Sequence, residues 1–231
     1  MPMFKMKEGH FRSRPKRVSF NEIKRAGKLI HQNHRGYGEI YRMPEGELVK
    51  CFVSRGFPLS LIRHLFKCSK AHKQLRSAMR LLELGLPTPE PLGVYRFQMR
   101  DPFESAYVCD YLEDARPLDG VILGMEHEQK VAVLRELASQ IGVMAQNGVL
   151  FIDFHLGNVL MDSQSKIWWI DPELWFSARK VRQQFWARME RMHRKCNLGL
   201  LTEAEWRFFC ECLNHEVSMV CGSYQTKGDH R

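Results

Sequence analysis

Residues 148–173 read GVLFIDFHLGNVLMDSQSKIWWIDPE, from Gly148 to Glu173. Short apolar runs alternate there with polar turn residues: Leu150-Phe151-Ile152, then Val159-Leu160-Met161, then Ile167-Trp168-Trp169-Ile170. Runs of that length between turn signals predict short buried strands. Asp153, Asn158 and Asp171 then fall at strand ends and in loops, where a rigid scaffold holds chemically active side chains. A carboxylate, an amide five residues on and a second carboxylate thirteen further form a base-and-metal pattern suited to phosphate chemistry.

The surrounding chain can support such a site. Its 231 residues, 44% hydrophobic and 11% aromatic, are enough for one full-sized domain or two joined lobes with a real core. A formal charge of +9 and a pI near 9.3 favour anionic partners such as nucleotides, phosphorylated glycans or an acidic membrane surface. The basic start MPMFKMKEGHFRSRPKR lacks a following apolar segment and does not read as a secretory signal. No run approaches the 18 or so apolar residues of a membrane span. Nucleic acid is an unlikely partner, because no readout motif accompanies the basic arm. The seven cysteines contain no C-x-x-C pair, so Cys210, Cys212 and Cys221, with His193 and His215, read as core thiols rather than a zinc site. Cys51, Cys68 and Cys109, in or beside apolar runs, read as buried thiols of a reducing compartment.

Outward from the central stretch, residues 126–147 carry an apolar stripe of Val131, Leu134, Leu137, Ala138, Ile141, Met144 and Ala145, with Gly148 as the stop. Residues 177–195 predict another helix, with Val181, Phe185, Met189 and Met192 on one face and Arg179, Arg182, Arg188, Arg191 and Arg194 on the other. Thr202-Glu203-Ala204-Glu205 opens a last helix with a capping box. Upstream, residues 34–53 predict strand, turn and strand, opened by a loop with Gly36 and Gly38 that lets backbone N–H groups approach a phosphate. Lys50 lies inside the second strand between apolar residues, where an amine must snorkel or meet an anion. Residues 23–30 predict a short helix or strand, 58–65 a short helix, and 69–84 a helix with Ala71, Leu75, Ala78, Met79 and Leu82 on one face, Ser69 as N-cap and Gly85 as stop. Leu86-Pro87-Thr88-Pro89-Glu90-Pro91 predicts a stiff connector. Two strands follow at 92–97 and 105–112, and residues 113–117 read as a hinge.

Set in order, the glycine loop, strand lysine, helix, hinge, long helix and Asp-x4-Asn…Asp resemble the protein-kinase-like fold. The segment LFIDFHLGNVL, 150–160, looks like the catalytic loop of kinase-like enzymes that phosphorylate small molecules and sugars. Leu84-Gly85-Leu86-Pro87-Thr88-Pro89, together with the basic helix after Asp171, is similar to the lipopolysaccharide core kinases, the heptose and Kdo kinases. The resemblance covers residues 30 to 200. It implies an α+β, bilobal fold with a small β-rich N-terminal lobe and a mainly helical C-terminal lobe. The expected division is a basic arm at 1–20, a nucleotide-binding lobe at 21–113, a catalytic lobe at 114–221 and a tail at 222–231.

The implied activity is transfer of the ATP γ-phosphate, with Mg²⁺, to a heptose or Kdo hydroxyl of the lipopolysaccharide inner core, in the cytoplasm or peripherally on the inner membrane. Asp153 is the implied base, and Asn158 and Asp171 are the metal ligands. Lys50 would hold the α/β-phosphates, Gly36 and Gly38 would cover them, and Asp110 and Leu112 would complete the nucleotide site. His155 reads as packing within the loop. The sequence departs from the protein-kinase pattern at Phe151 in place of the motif His, at Pro172-Glu173 after Asp171, and at Gln74 where a Glu would pair with Lys50. Glu83, Glu39 and Glu47 are substitutes between which the sequence does not choose. Two other readings fit the same features: a minimal RIO-like protein kinase, and a pseudokinase acting as a binding module.

Overall fold

The computed structural model describes residues 16–32, 38–53, 62–63, 66–98, 101–194 and 199–223. The chain divides into two compact units, one of residues 1–79 and 89–113, the other of 80–88 and 114–231. The fold is α+β.

The first unit is built on a six-stranded sheet in the order β1-β5-β6-β4-β3-β2. Its strands are β1 (Lys16–Arg17), β2 (Lys28–Gln32), β3 (Gly38–Arg42), β4 (Glu47–Val53), β5 (Pro91–Arg96) and β6 (Phe103–Asp110). All neighbours are antiparallel except β1 and β5. Alternation along β4 assigns the two faces. Val49 and Cys51 point to a cluster with Phe20, Ile23, Tyr41, Phe97, Phe103, Ala106 and Val108. Helix α1 (Phe20–Ala26) closes that side, with the Phe20 ring 4.6 Å from Phe103 and 6.0 Å from Tyr41. Leu48 and Phe52 point to the opposite face, where Ala71, Leu75 and Ala78 of helix α2 (Lys70–Glu83) pack with Val94, Tyr107 and Cys109.

The end of the stretch that reads as an arm belongs to the folded unit, because Phe20 is a core residue and β1 adds to the sheet beside Tyr95 and Arg96. The ambiguous segment at 23–30 contributes both a helix and a strand. Cys68 is exposed, against the expectation of burial, because it lies in the turn before α2 rather than on a covered face. The helix expected at 58–65 falls mostly outside the described residues.

Helix α2 ends as the glycine predicts. Gly85 takes φ +73°, its N–H bonds the Leu82 carbonyl, and the Leu86 N–H reaches back to Leu81. The buried residues of the helix are Ala71, His72, Gln74, Ser77, Ala78 and Leu81, with Leu75, Met79 and Leu82 half-buried, so polar side chains share the packed side with the expected Ala71, Leu75 and Ala78.

The second unit contains the short helix α3 (Leu118–Val121), the long α4 (His127–Gln146), α5 (Ala178–Met192) and α6 (Glu203–Cys221). Strands β7 (Arg116–Pro117), β9 (Val159–Met161) and β10 (Ile167–Trp169) form one antiparallel sheet, and β8 (Val149–Phe151) pairs with β11 (Leu174–Phe176) in another. The stripe on α4 is buried as its period predicts, with Val133 in place of Val131 and with Gln140 and Gly142 added. Helices α4 and α6 approach so closely at Gly142 that a Cβ there would lie 2.6 Å from the Glu216 Cβ. Ser177 caps α5 through its hydroxyl, and Thr202 with Glu205 forms the capping box of α6. No helix among the described residues is long and apolar enough to cross a membrane.

Candidate active site

Asp153, Asn158 and Asp171 are brought together within the second unit by a small set of hydrogen bonds. The chain leaves β8 at Phe151, and Ile152 N–H donates to Glu173 C=O at 2.8 Å, tying the start of the loop to the residue two beyond Asp171. Phe154 then turns inward and is 1% exposed, its ring packed against Phe151, Trp169 and Phe209. With the phenyl ring as anchor, the neighbouring Asp153 side chain is left exposed.

Asn158 ends a 3₁₀ turn, Leu156–Asn158. Its Nδ2 donates to the Asp153 carbonyl at 2.9 Å, its backbone N–H to His155 C=O at 2.8 Å, and its own carbonyl accepts from Ile170 N–H at 3.0 Å. The amide nitrogen is thereby occupied, and the orientation leaves Oδ1 as the atom available to a cation.

Asp171 follows Ile170 directly and is exposed, with its backbone in the left-handed region at φ +50°. A non-glycine residue there carries a cost of about 1–3 kcal/mol and persists where its surroundings over-determine it. The bonds at Ile170 and Glu173 are those surroundings. An exposed carboxylate on a pinned loop can take a proton from a hydroxyl. An amide oxygen with a carboxylate suits a hard cation that keeps water and phosphate oxygens as its other ligands, as Mg²⁺ does. Among the described residues no three His, Cys, Asp or Glu side chains cluster in a metal-binding group.

Behind the loop lies a buried polar chain absent from the sequence-based expectations. Trp169 is fully buried; its indole N–H donates to Gln140 Oε1 at 2.5 Å, and Gln140 Nε2 donates to Glu136 at 2.7 Å. The Trp169 backbone N–H donates to Pro87 C=O at 2.8 Å, and the Thr88 hydroxyl donates to Trp169 C=O at 2.7 Å. The Leu-Pro-Thr-Pro connector is thus a brace for the strand that delivers Asp171. Gln140 was legible only as a polar interruption of an apolar stripe.

Asp119 is a further unanticipated acid. A Cβ at Gly157 would sit 2.7 Å from its Oδ2 and 3.0 Å from His155 Nδ1, so any larger residue there must displace the Asp119 carboxylate. His155 is half-buried and folds over Gly157, in keeping with a packing role.

The nucleotide-site candidates of the first unit form a separate set. Lys50 lies between Leu48 and Phe52 on the α2 face of β4, in register with Ile40 and Tyr107, its Nζ 5.7 Å from the centre of the Phe52 ring. Burial pushes the nearby Cys109 thiol up to about 12, while the Lys50 charge pulls it the other way. Gln74 occupies the helix face that covers this side of the sheet. Gly38 opens β3 opposite Phe52, and a Cβ there would lie 2.9 Å from Cys51 C=O, so close strand approach alone already requires glycine. Asp110 closes β6 with an exposed side chain and its N–H on Glu90 C=O, and Leu112 follows, half-exposed. Gly36 lies outside the described residues.

A model of the lipopolysaccharide kinase (Kdo/WaaP) family matches residues 54–212, a span that contains Asp110, Leu112, Asp153, Asn158 and Asp171. A search of curated proteins returned no match. Among solved structures, a 2.2 Å crystal structure of WbdD is 13% identical, with a TM-score of 0.47 over 84% of this chain and 46% of that one. Monomeric WbdD is 16% identical over 78% and 44%, with a TM-score of 0.47. A further structure, of the bifunctional kinase-methyltransferase WbdD, is 14% identical over 84% and 45%, with a TM-score of 0.45. The chain spans less than half the length of these structures. With more than half of its residues matched by the family model, the chain belongs to the lipopolysaccharide kinase (Kdo/WaaP) family, a family of phosphotransferases.

Proposed function

We propose that this protein transfers the γ-phosphoryl group of ATP to a hydroxyl of heptose or Kdo in the lipopolysaccharide inner core. The observation that carries the reading is the Asn158 amide bonded to Asp153 C=O, with the Asn158 carbonyl bonded to Ile170 N–H, which ties the segments bearing the three polar residues into one braced loop system. In this reading Asp153 accepts or orients the proton of the acceptor hydroxyl while the oxygen attacks phosphorus. Asn158 Oδ1 and the Asp171 carboxylate hold Mg²⁺. When bound, the ion supplies positive charge against the phosphate oxygens. Lys50 holds the α/β-phosphates as a point charge, Gly36 and Gly38 cover them, and Asp110 and Leu112 contact the nucleotide at the end of β6. The β-rich unit is the nucleotide lobe and the helical unit the catalytic lobe of a bilobal kinase.

The acceptor is anionic and membrane-borne, so we place the protein on the cytoplasmic face of the inner membrane, where the basic surface of α5 favours approach. The test is phosphate transfer from labelled ATP to a dephosphorylated core glycolipid, with a generic protein acceptor in parallel. Transfer to the glycolipid, lost in Asp153→Ala with ATP binding kept, supports the reading; transfer to the protein alone refutes it. The buried Gln74 is the observation behind a binding-module reading, because an amide there brings no charge to Lys50. Mg²⁺-dependent ATP turnover by the native protein excludes that alternative.

A further inference from the structure

Strand β11 places Trp175 opposite Leu150, three residues before Asp153. Two cations converge on its ring: Lys180 Nζ lies 4.4 Å from the ring centre and the Arg188 guanidinium carbon 4.7 Å. Their charged heads are therefore no further apart than the sum of those distances. Among the described residues, neither side chain forms an ion pair with a carboxylate. Lys180 also lies in the first turn of α5, a turn without an acidic residue, where the helix dipole disfavours a cation. Two like charges drawn to one ring, one of them against the dipole, lower stability unless something offsets them. Local conflicts of this kind concentrate where a ligand resolves them.

We propose that Trp175, Lys180 and Arg188 form a binding site for a phosphate group carried on a carbohydrate, and that the carbohydrate is the acceptor. Both cations gather at one indole, and in this proposal a doubly charged phosphate draws on both of them. Trp175 pairs across the strands with Leu150, and β8 ends at Phe151, two residues before Asp153; this closeness along the chain suits a phosphate on the same or an adjoining sugar as the reacting hydroxyl. The identification of the carbohydrate as acceptor rests on the proposed kinase reading; the anion site itself does not. It gives charge-based recognition next to the loop that would act on the sugar.

The test follows the Trp175 indole N–H in ¹⁵N spectra, assigned by loss of the signal in Trp175→Phe. The probes are glucose 6-phosphate, glucose and inorganic phosphate, each titrated into the full-length protein. The sugar phosphate is expected to shift the signal saturably, with affinity reduced at least tenfold in Lys180→Ala/Arg188→Ala and reduced also by added salt. Glucose and inorganic phosphate at the same concentrations are expected to give a weaker response. An unchanged signal, an equal shift in the double variant, or an equal response to glucose or to inorganic phosphate alone overturns the proposal. Nucleotide binding is measured separately by calorimetry with Mg–ATP. Its absence would count against the kinase reading while leaving the Trp175 titration interpretable.

Discussion

Replacing Thr88 by valine removes one hydroxyl from the interior of the second unit while keeping the side-chain shape. That hydroxyl donates to Trp169 C=O at 2.7 Å, and both residues are buried. Trp169 turns its N–H away from β9 towards Pro87, and Ile170 makes the adjacent bond across the strands, to Asn158. Valine would therefore leave the Trp169 carbonyl buried without its donor. A buried polar group left without a partner costs about 1–3 kcal/mol. For a protein of this size each kcal/mol lowers Tm by about 2–4 °C, so a mid-range cost of about 2 kcal/mol lowers it by about 4–8 °C. Thr88→Ser keeps the donor and is expected to lie much closer to the native value. Because Trp169 is two residues before Asp171, Thr88→Val is also expected to raise KM for Mg–ATP, with Thr88→Ser restoring it. Circular-dichroism melting and steady-state kinetics of the three proteins make the comparison. A Thr88→Val protein with native Tm and native KM would refute the brace.

Asp153→Ala is expected to lower turnover by about 10²–10⁴-fold, the range of a general base, with ATP binding retained by calorimetry. Gly157→Ala drives a Cβ to 2.7 Å from Asp119 Oδ2, so it is expected to lower both Tm and turnover; adding Asp119→Gly should recover part of each, and no recovery would show that the clash lies elsewhere. Gln140→Leu removes the acceptor of the Trp169 indole and is expected to cost about 1–3 kcal/mol, measured by urea unfolding. Burial lowers the pKa of His193, stacked 4.0 Å from Trp206 in parallel, and of His72. Their folded pKa values lie below the unfolded value of about 6.5. The stability they contribute is thus complete above that pH and is lost as pH falls through the folded values. His193→Phe, which keeps the stack, is expected to flatten the loss measured by melting from pH 7 to pH 5; identical profiles would contradict this. The Asp162 carboxyl, held below its ordinary value first by the Trp168 indole, gives a loss only at lower pH.

Local chemistry was legible in the chain order. The α2 stop at Gly85, the Thr202 capping box, the short strands on either side of Asp153 and the apolar stripe of the long helix each depend on residues within a few positions of one another, and each is present. The Asp153, Asn158 and Asp171 pattern was legible for the same reason, since its members lie within nineteen positions on two hairpin-like returns. The misreadings arose where one face of an element meets a distant partner. Phe20 looked like part of an arm until Phe97 and Phe103 covered it, and α2 proved to bury His72, Gln74 and Ser77 beside its expected apolar residues. Tertiary structure alone decided that Thr88 and Gln140 secure Trp169, that Asp119 abuts Gly157, and that Lys180 and Arg188 share one indole. Sequence periodicity reports which face of an element is apolar. It does not report which polar atom, brought from eighty residues away, will satisfy a buried carbonyl.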